Sequence, residues 1–316
     1  MQFREATPEE RKIYYNEEWG GKRDLPDYVL HSLSMREFGF DHDGSGPNDR
    51  KNQFLTVDQL ESYLRTKAPY SAYVSVAQYE EPSLMKGWLR AELAFDVDAK
   101  DLPAKRCCGQ GQVCESCLEE ARRVICMIGD VLRSDLGLRE LRYSYSGRGF
   151  HLRVLDEAVQ RLGSTARNEI VSYVVGCVLP ADLSLALGYP RVFRRYAARI
   201  LGRLDERTLQ AEGIRRAAKI LEHRDKIISS LESGRVEGLR ELEGIGEQTL
   251  QSLLEVLRKL NSEQEDGRVT VDVRRILRLP SSLHSGVSMK CVEIRDIERF
   301  TLDQAVPKFV GERVGG

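Results

Sequence analysis

Asp96 and Asp98 stand two residues apart at the end of the apolar run Ala91-Glu92-Leu93-Ala94-Phe95. On a strand, side chains at i and i+2 share a face at roughly 7 Å Cα spacing. Two carboxylates so placed can converge on a hard divalent cation such as Mg²⁺ or Mn²⁺, or they can stand as a solvated pair at a strand end. A second constellation follows directly. Cys107, Cys108, Cys114 and Cys117 fall within eleven residues in the spacing C-C-x5-C-x2-C. Four thiolates complete a tetrahedral Zn²⁺ shell, which makes such a site structural because no position is left for water. Gly109, Gly111, Gln110 and Gln112 suit a loop folded round the ion; the alternative is a surface loop of reduced thiols. The adjacent pair Cys107 and Cys108 is the less usual half. Cys126, Cys177 and Cys291 lie in apolar contexts and read as core residues.

Ser146-Gly147-Arg148-Gly149-Phe150-His151 forms a small cationic turn. Exposed backbone N–H groups, a hydroxyl, a forked guanidinium and an imidazole can cradle a phosphate, although the same phrase serves as an ordinary hairpin turn. Residues 266–284 gather Asp266 and Asp272, four arginines and His284. Their alternation suggests a strand and then a helical turn, and a charged amphipathic edge would look the same.

These groups need a scaffold, and the hydrophobic pattern predicts one. Residues 1–38 read as one or two helices, and Phe38 to Pro47 as a turn-rich join to a sheet. Strands are expected at 72–77, 88–97, 141–146 and 150–155, with a helix at 117–135. From about 164 to 261 the pattern is almost wholly helical. It returns to strand type at 269–273 and 290–294. The fold expected is α+β: a mixed β-sheet catalytic core (1–180 and 262–316) flanked by helices, with a zinc-knuckle loop at 107–117 and an inserted helical subdomain at 181–261. No internal repeat stands out, and only the tail from Gly311 to Gly316 looks disordered.

The bulk numbers narrow the setting. With 48 basic and 49 acidic residues among 316, net charge argues neither for nor against a nucleic-acid partner. No apolar run approaches the roughly 18 residues of a membrane span. The N-terminal segment lacks the apolar stretch of a secretion signal, so a reducing, cytoplasmic setting is expected.

Taken together, the motifs resemble the catalytic small subunit of the archaeal and eukaryotic DNA primase family, the archaeal form more closely. Arg36-Glu37-Phe38-Gly39-Phe40 resembles the family's entry segment, and Glu92 to Asp98 its metal-binding strand. The four-cysteine knuckle, the Ser146 to His151 turn and Leu277-Arg278-Leu279-Pro280-Ser281-Ser282-Leu283-His284 follow in the family's order. The resemblance implies primer synthesis on single-stranded DNA from nucleoside triphosphates, with a large primase subunit as partner in a heterodimer and a nucleoid-associated location. It also implies Asp266 as a third ligand to catalytic Mg²⁺ or Mn²⁺ beside Asp96 and Asp98, with Asp272 as rival. Ser146, Arg148, His151, Arg278 and His284 would hold the triphosphate. A repair polymerase of the same superfold and a noncatalytic zinc-dependent nucleic-acid binder are the alternatives.

Two phrases lie outside the resemblance. Leu242-Glu243-Gly244-Ile245-Gly246-Glu247 is similar to a helix-hairpin-helix turn, or is a plain helix C-cap. Arg191, Arg195, Arg199 and Arg203 recur every fourth residue, a stripe that suits either a template backbone or a solvated helix face.

Overall fold

Short antiparallel strands interrupted by brief helices make up the N-terminal third of the computed structural model, which describes residues 4–109 and 111–312. Thr7 caps α1 (Pro8–Ile13) in a capping box with Glu10, and Pro8 opens its first turn. A π-turn at Tyr14–Glu18 and α2 (Asp27–Leu30) follow. Strand β1 (Phe38–Asp41) comes next, where sequence reading placed the start of a turn. Phe38 and Phe40 are fully buried, and that burial outweighs the local turn chemistry. β2 (Asp49–Asn52), α3 (Val57–Lys67) and β3 (Ser71–Ser75) complete the segment. With β9 (Ile276–Arg278) they form a sheet in the order β2-β1-β3-β9, in which Tyr73 faces Arg278.

A second sheet carries the chemistry-bearing motifs. The expected strand at 88–97 is two strands, β5 (Lys86–Ala91), which pairs with β4 (Ala77–Glu81), and β6 (Leu93–Asp98). The break falls at Glu92, whose buried carboxylate is clamped by Arg36 and Arg153. β7 (Leu141–Tyr145) and β8 (Gly149–Val154) make a tight hairpin, and with β10 (Val292–Ile294) the order is β10-β7-β8-β6. α5 (Glu157–Gln160) and α13 (Lys308–Glu312) are single turns.

Residues 269–273 do not form the expected strand. Gly267–Val271 is a short helix, α12, and Asp272 follows it in a turn. Val269 is buried and Thr270 Oγ1 donates to the Ala94 carbonyl at 2.5 Å, so tertiary contacts override the β-branched propensity.

The chain divides into two compact units. Residues 1–96, 138–164 and 268–316 make the first, with a core built on Tyr14, Phe38, Phe40 and Leu60. Residues 97–137 and 165–267 make the second. It takes in the cysteine segment and α4 (Glu115–Ser134) as well as α6 (Ser164–Val174), α7 (Gly188–Leu201), α8 (Glu206–Ala211), α9 (Ala217–Glu222), α10 (Arg224–Ser233) and α11 (Glu247–Ser262). A separate core of Phe193, Leu201, Ile227, Leu253 and Leu257 holds these helices. Among the described residues no helix is long and apolar enough to cross a membrane. Of the tail expected to be disordered, 313–316 lie outside the described residues, and so does Gln110 of the cysteine loop.

Candidate active site

On β6, Val97 is fully buried while Asp96 and Asp98 on either side are partly open, the alternation of a strand with one wet face. Asp96 lies in the first unit and Asp98 in the second. Asp96 Oδ1 is 3.5 Å from His151 Nε2 on β8. His151 is buried, and its Nδ1 has no hydrogen-bond partner among the described atoms. Burial, and then the cations of Arg278, Arg153 and Arg275, push its pKa well down, so the ring is neutral.

The turn from β7 to β8 is closed by the Ser146 N–H donating to the Gly149 carbonyl at 2.9 Å. Gly147 sits at φ +99°, and a Cβ there would fall 2.4 Å from that of His284. Only glycine lets this turn lie against the histidine. Arg278 reaches the same place from β9, donating from Nη1 to the Ser146 carbonyl at 3.0 Å and from Nη2 to the Tyr73 hydroxyl at 3.3 Å. Its buried Nε–H is left without a partner.

His284 accepts the Gly286 N–H at Nδ1, 3.0 Å. The neutral ring then carries its proton on Nε2, as a hydrogen-bond donor. Burial, then Arg278 and Arg148, hold its pKa well below the usual histidine value. Ser146, Arg148, His151, Arg278 and His284 therefore gather in one unit, with cations, N–H donors and orphaned polar atoms that suit a polyanion. Tyr73 and Glu92 carry no role of their own in the sequence reading, which has them only as members of strands. One packs under Arg278 at 5.3 Å, and the other locks the strand that leads to Asp96. A tyrosine inside a strand and an acid inside an apolar run were the only signals.

Asp266 is exposed and lies in the second unit, just before α12. Asp272 Oδ1 accepts the Arg274 N–H at 2.9 Å and so caps the turn after α12. Sequence reading put it on a strand; it acts as a turn cap.

The four cysteines meet. Their sulfurs all lie within 4.8 Å of one another, and Cys108 Sγ is 3.9 Å from both Cys107 Sγ and Cys117 Sγ. Tetrahedral zinc with Zn–S bonds of about 2.3 Å spaces its sulfurs about 3.8 Å apart, so this donor set fits the ion. Adjacent Cys107 and Cys108 both belong to it. The Cys114 N–H donates to Cys117 Sγ at 3.0 Å where α4 begins. Burial acts to raise the Cys114 thiol, yet hydrogen bonds from the Cys117 backbone and neighbouring thiols bring it down to about 7.

The arginine stripe, which runs along α7 into the turn after it, faces acids of α4 and of its C-cap and is not a bare cationic track. Arg191 pairs with Asp135 at 2.6 Å and Arg195 with Asp130 at 3.1 Å. Arg199 and Arg203 both clasp Glu120.

The model of the family described as DNA primase small subunit matches residues 95–296. This chain belongs to that family. The DNA primase small subunit PriS of Methanothermobacter thermautotrophicus is 44% identical over 333 aligned positions, covering 98% of both chains. That of Thermococcus kodakarensis is 43% identical, over 99% of this chain and 95% of the other. That of Pyrococcus horikoshii is 41% identical, over 99% and 96%. Among solved structures, the polymerase domain of Mycobacterium tuberculosis ligase D in complex with DNA is similar over 53% of this chain and 62% of that one, at 16% identity and a TM-score of 0.35. Within the primase small-subunit family, the segment matched here runs from Phe95 through the zinc-type knuckle and the Ser146 turn to His284 and β10.

Proposed function

We propose that the chain is the catalytic subunit of a DNA primase, a nucleotidyltransferase acting as a DNA-directed RNA polymerase that makes short primers on single-stranded DNA. The observation that carries this is the cluster in the first unit, where Asp96 stands beside His151 and the cations and donors of Ser146, Arg148, Arg278 and His284 gather. Asp96, Asp98 and Asp266 would hold Mg²⁺ or Mn²⁺, which when bound lowers the pKa of an attacking 3′-hydroxyl and neutralises a leaving pyrophosphate. Arg148 and Arg278 set two positive charges against the triphosphate. His284 donates from Nε2 without needing to be protonated, and the Ser146 turn, pinned by Gly147, fixes where the phosphates lie. These contacts act by positioning and electrostatics. Asp272, committed to its turn, supports Asp266 as the third carboxylate. Zinc held by Cys107, Cys108, Cys114 and Cys117 would order their loop. A large primase subunit would complete a heterodimer, located with replicating DNA in the cytoplasm.

The test is incubation with single-stranded DNA, Mn²⁺ or Mg²⁺ and labelled nucleoside triphosphates. De novo oligomers are expected, and Asp96→Asn or Asp98→Asn should abolish them with circular dichroism unchanged. Extension of supplied 3′ ends alone would support a repair polymerase, and DNA binding with no incorporation a noncatalytic zinc protein. Near-normal synthesis by Asp96→Asn would overturn the assignment.

A further inference from the structure

The second unit carries an open polar cavity of about 570 Å³ that the proposed chemistry does not use. Two turns of chain line it. One passes through Gly213 and Ile214 between α8 and α9, and the other ends at Gly246, ahead of α11. The tripeptide Glu-Gly-Ile occurs in both, at 212–214 and 243–245. Its glycines hold left-handed backbone, at φ +85° and +76°, which side-chain-bearing residues adopt only at a cost. Each isoleucine is 3% exposed and packs into the same helical core. The core thus anchors both turns from beneath and leaves the chain after each isoleucine facing outward.

The lining is cationic and rich in donors. Arg215 and Arg216 supply two guanidinium groups, Gln248, Thr249 and Ser252 supply neutral donors, and none of the lining residues is acidic. Arg216 Nη1 donates to the Gly244 carbonyl at 2.7 Å, which carries a cation from one turn across to the other. Of the nearby acids, Glu212 pairs with Lys259 at 2.8 Å and Glu222 with Lys219 at 2.7 Å, while Glu243 and Glu247 flank the second turn in sequence as exposed residues outside the lining. A concave wall of guanidinium, amide and hydroxyl donors with no carboxylate matches phosphate oxygens. Two such turns on one cavity match successive phosphates of a strand better than a single small anion.

We propose that this cavity binds the phosphodiester backbone of DNA. Backbone contacts hold a nucleic acid in register without reading its sequence, which suits a protein that must engage any template. The choice of DNA as occupant rests on the proposed function, but binding at this cavity needs neither nucleotide nor metal, so its failure is distinguishable from a failure of catalysis.

Fluorescence anisotropy of the full chain with labelled single-stranded DNA and with a labelled duplex, across a salt series, tests it. Arg215→Glu and Gln248→Glu each place an acid in the cavity at an exposed position, where folding is not at stake. Each should weaken binding about tenfold and flatten the slope of log K against log salt by about one. Weakening confined to one DNA form would assign the cavity to that form. The comparator is Lys226→Glu, an exposed charge reversal on α10 away from the lining, which should change affinity little. Unchanged affinity and slope in both cavity variants would overturn the proposal, as would an equal loss from Lys226→Glu.

Discussion

Gly147 does more for the candidate site than its lack of a side chain suggests. It holds a left-handed turn against the ring of His284, so a methyl group there must either push the histidine away or unwind the turn. Gly147→Ala is expected to cost about 1–2 kcal/mol of backbone strain and to raise the KM for nucleotide at least tenfold while the protein stays folded. Steady-state kinetics on a variant with an unchanged circular dichroism spectrum would check this, and an unaltered KM would remove His284 from the triphosphate. The two histidines also set an acid limit. His151 and His284 are both held neutral, with folded pKa values well below the ordinary value of about 6.5. Above that value neither state binds the proton and stability is at its full level. As pH falls below it, the unfolded chain takes up protons that the folded chain refuses. Stability should therefore drop by up to about 1.4 kcal/mol per histidine for each pH unit below 6.5, until the folded pKa is reached. Urea melts of wild type and of His284→Gln across pH 7 to 5 would measure the loss. An equally steep decline in the variant would show that His284 is not its source.

Between elements, the packing of α7 on α4 rests on an ion-pair ladder whose middle is nearly dry. Glu120 lies between Arg199 and Arg203, and burial, followed by the charge of Arg203, lowers Arg199 to about 10. Glu120→Ala strands two guanidinium groups in that interface, and breaking such a buried pair costs about 3–5 kcal/mol. A loss of unfolding free energy below about 1 kcal/mol in denaturant melts would mean that water reaches the ladder. The stripe also shows where sequence reading stops. Four arginines at every fourth position look alike whether they face solvent, DNA or a neighbouring helix, because their partners Asp135, Asp130 and Glu120 belong to another helix. The apolar periodicity of α4 and the alternation of β7 and β8 were legible, since each element's own burial imposes them. Two boundaries were not. Glu92 ends a strand through its two arginine partners, and the expected strand at 269–273 gives way to a helix ending at Val271 and a turn because Thr270 bonds to Ala94, contacts made with distant parts of the chain. At the site the motif residues were readable one by one, while the glycine-on-histidine contact and the bond that fixes the His284 tautomer depend on folding.

Across the whole molecule, two compact units with separate apolar cores imply two thermal events rather than one. The four-cysteine cluster belongs to the second unit, in a loop with little apolar content of its own, at the start of α4. Zinc held there contributes folding free energy directly, on the order of 10 kcal/mol in small zinc modules. Much of that would go into ordering the loop and the first turn of α4. Calorimetry before and after a strong chelator should thus lower one transition by 10 °C or more and leave the other where it was. Metal analysis should return about one zinc per chain before treatment and none after. Cys114→Ser should reproduce the chelated profile without added chelator, because a hydroxyl replaces the thiol that lies lowest, at about 7, and so ionises most readily. If both transitions moved together, the two cores would melt as one cooperative body. If neither moved, the cluster would be an assembly of thiols with no metal to hold.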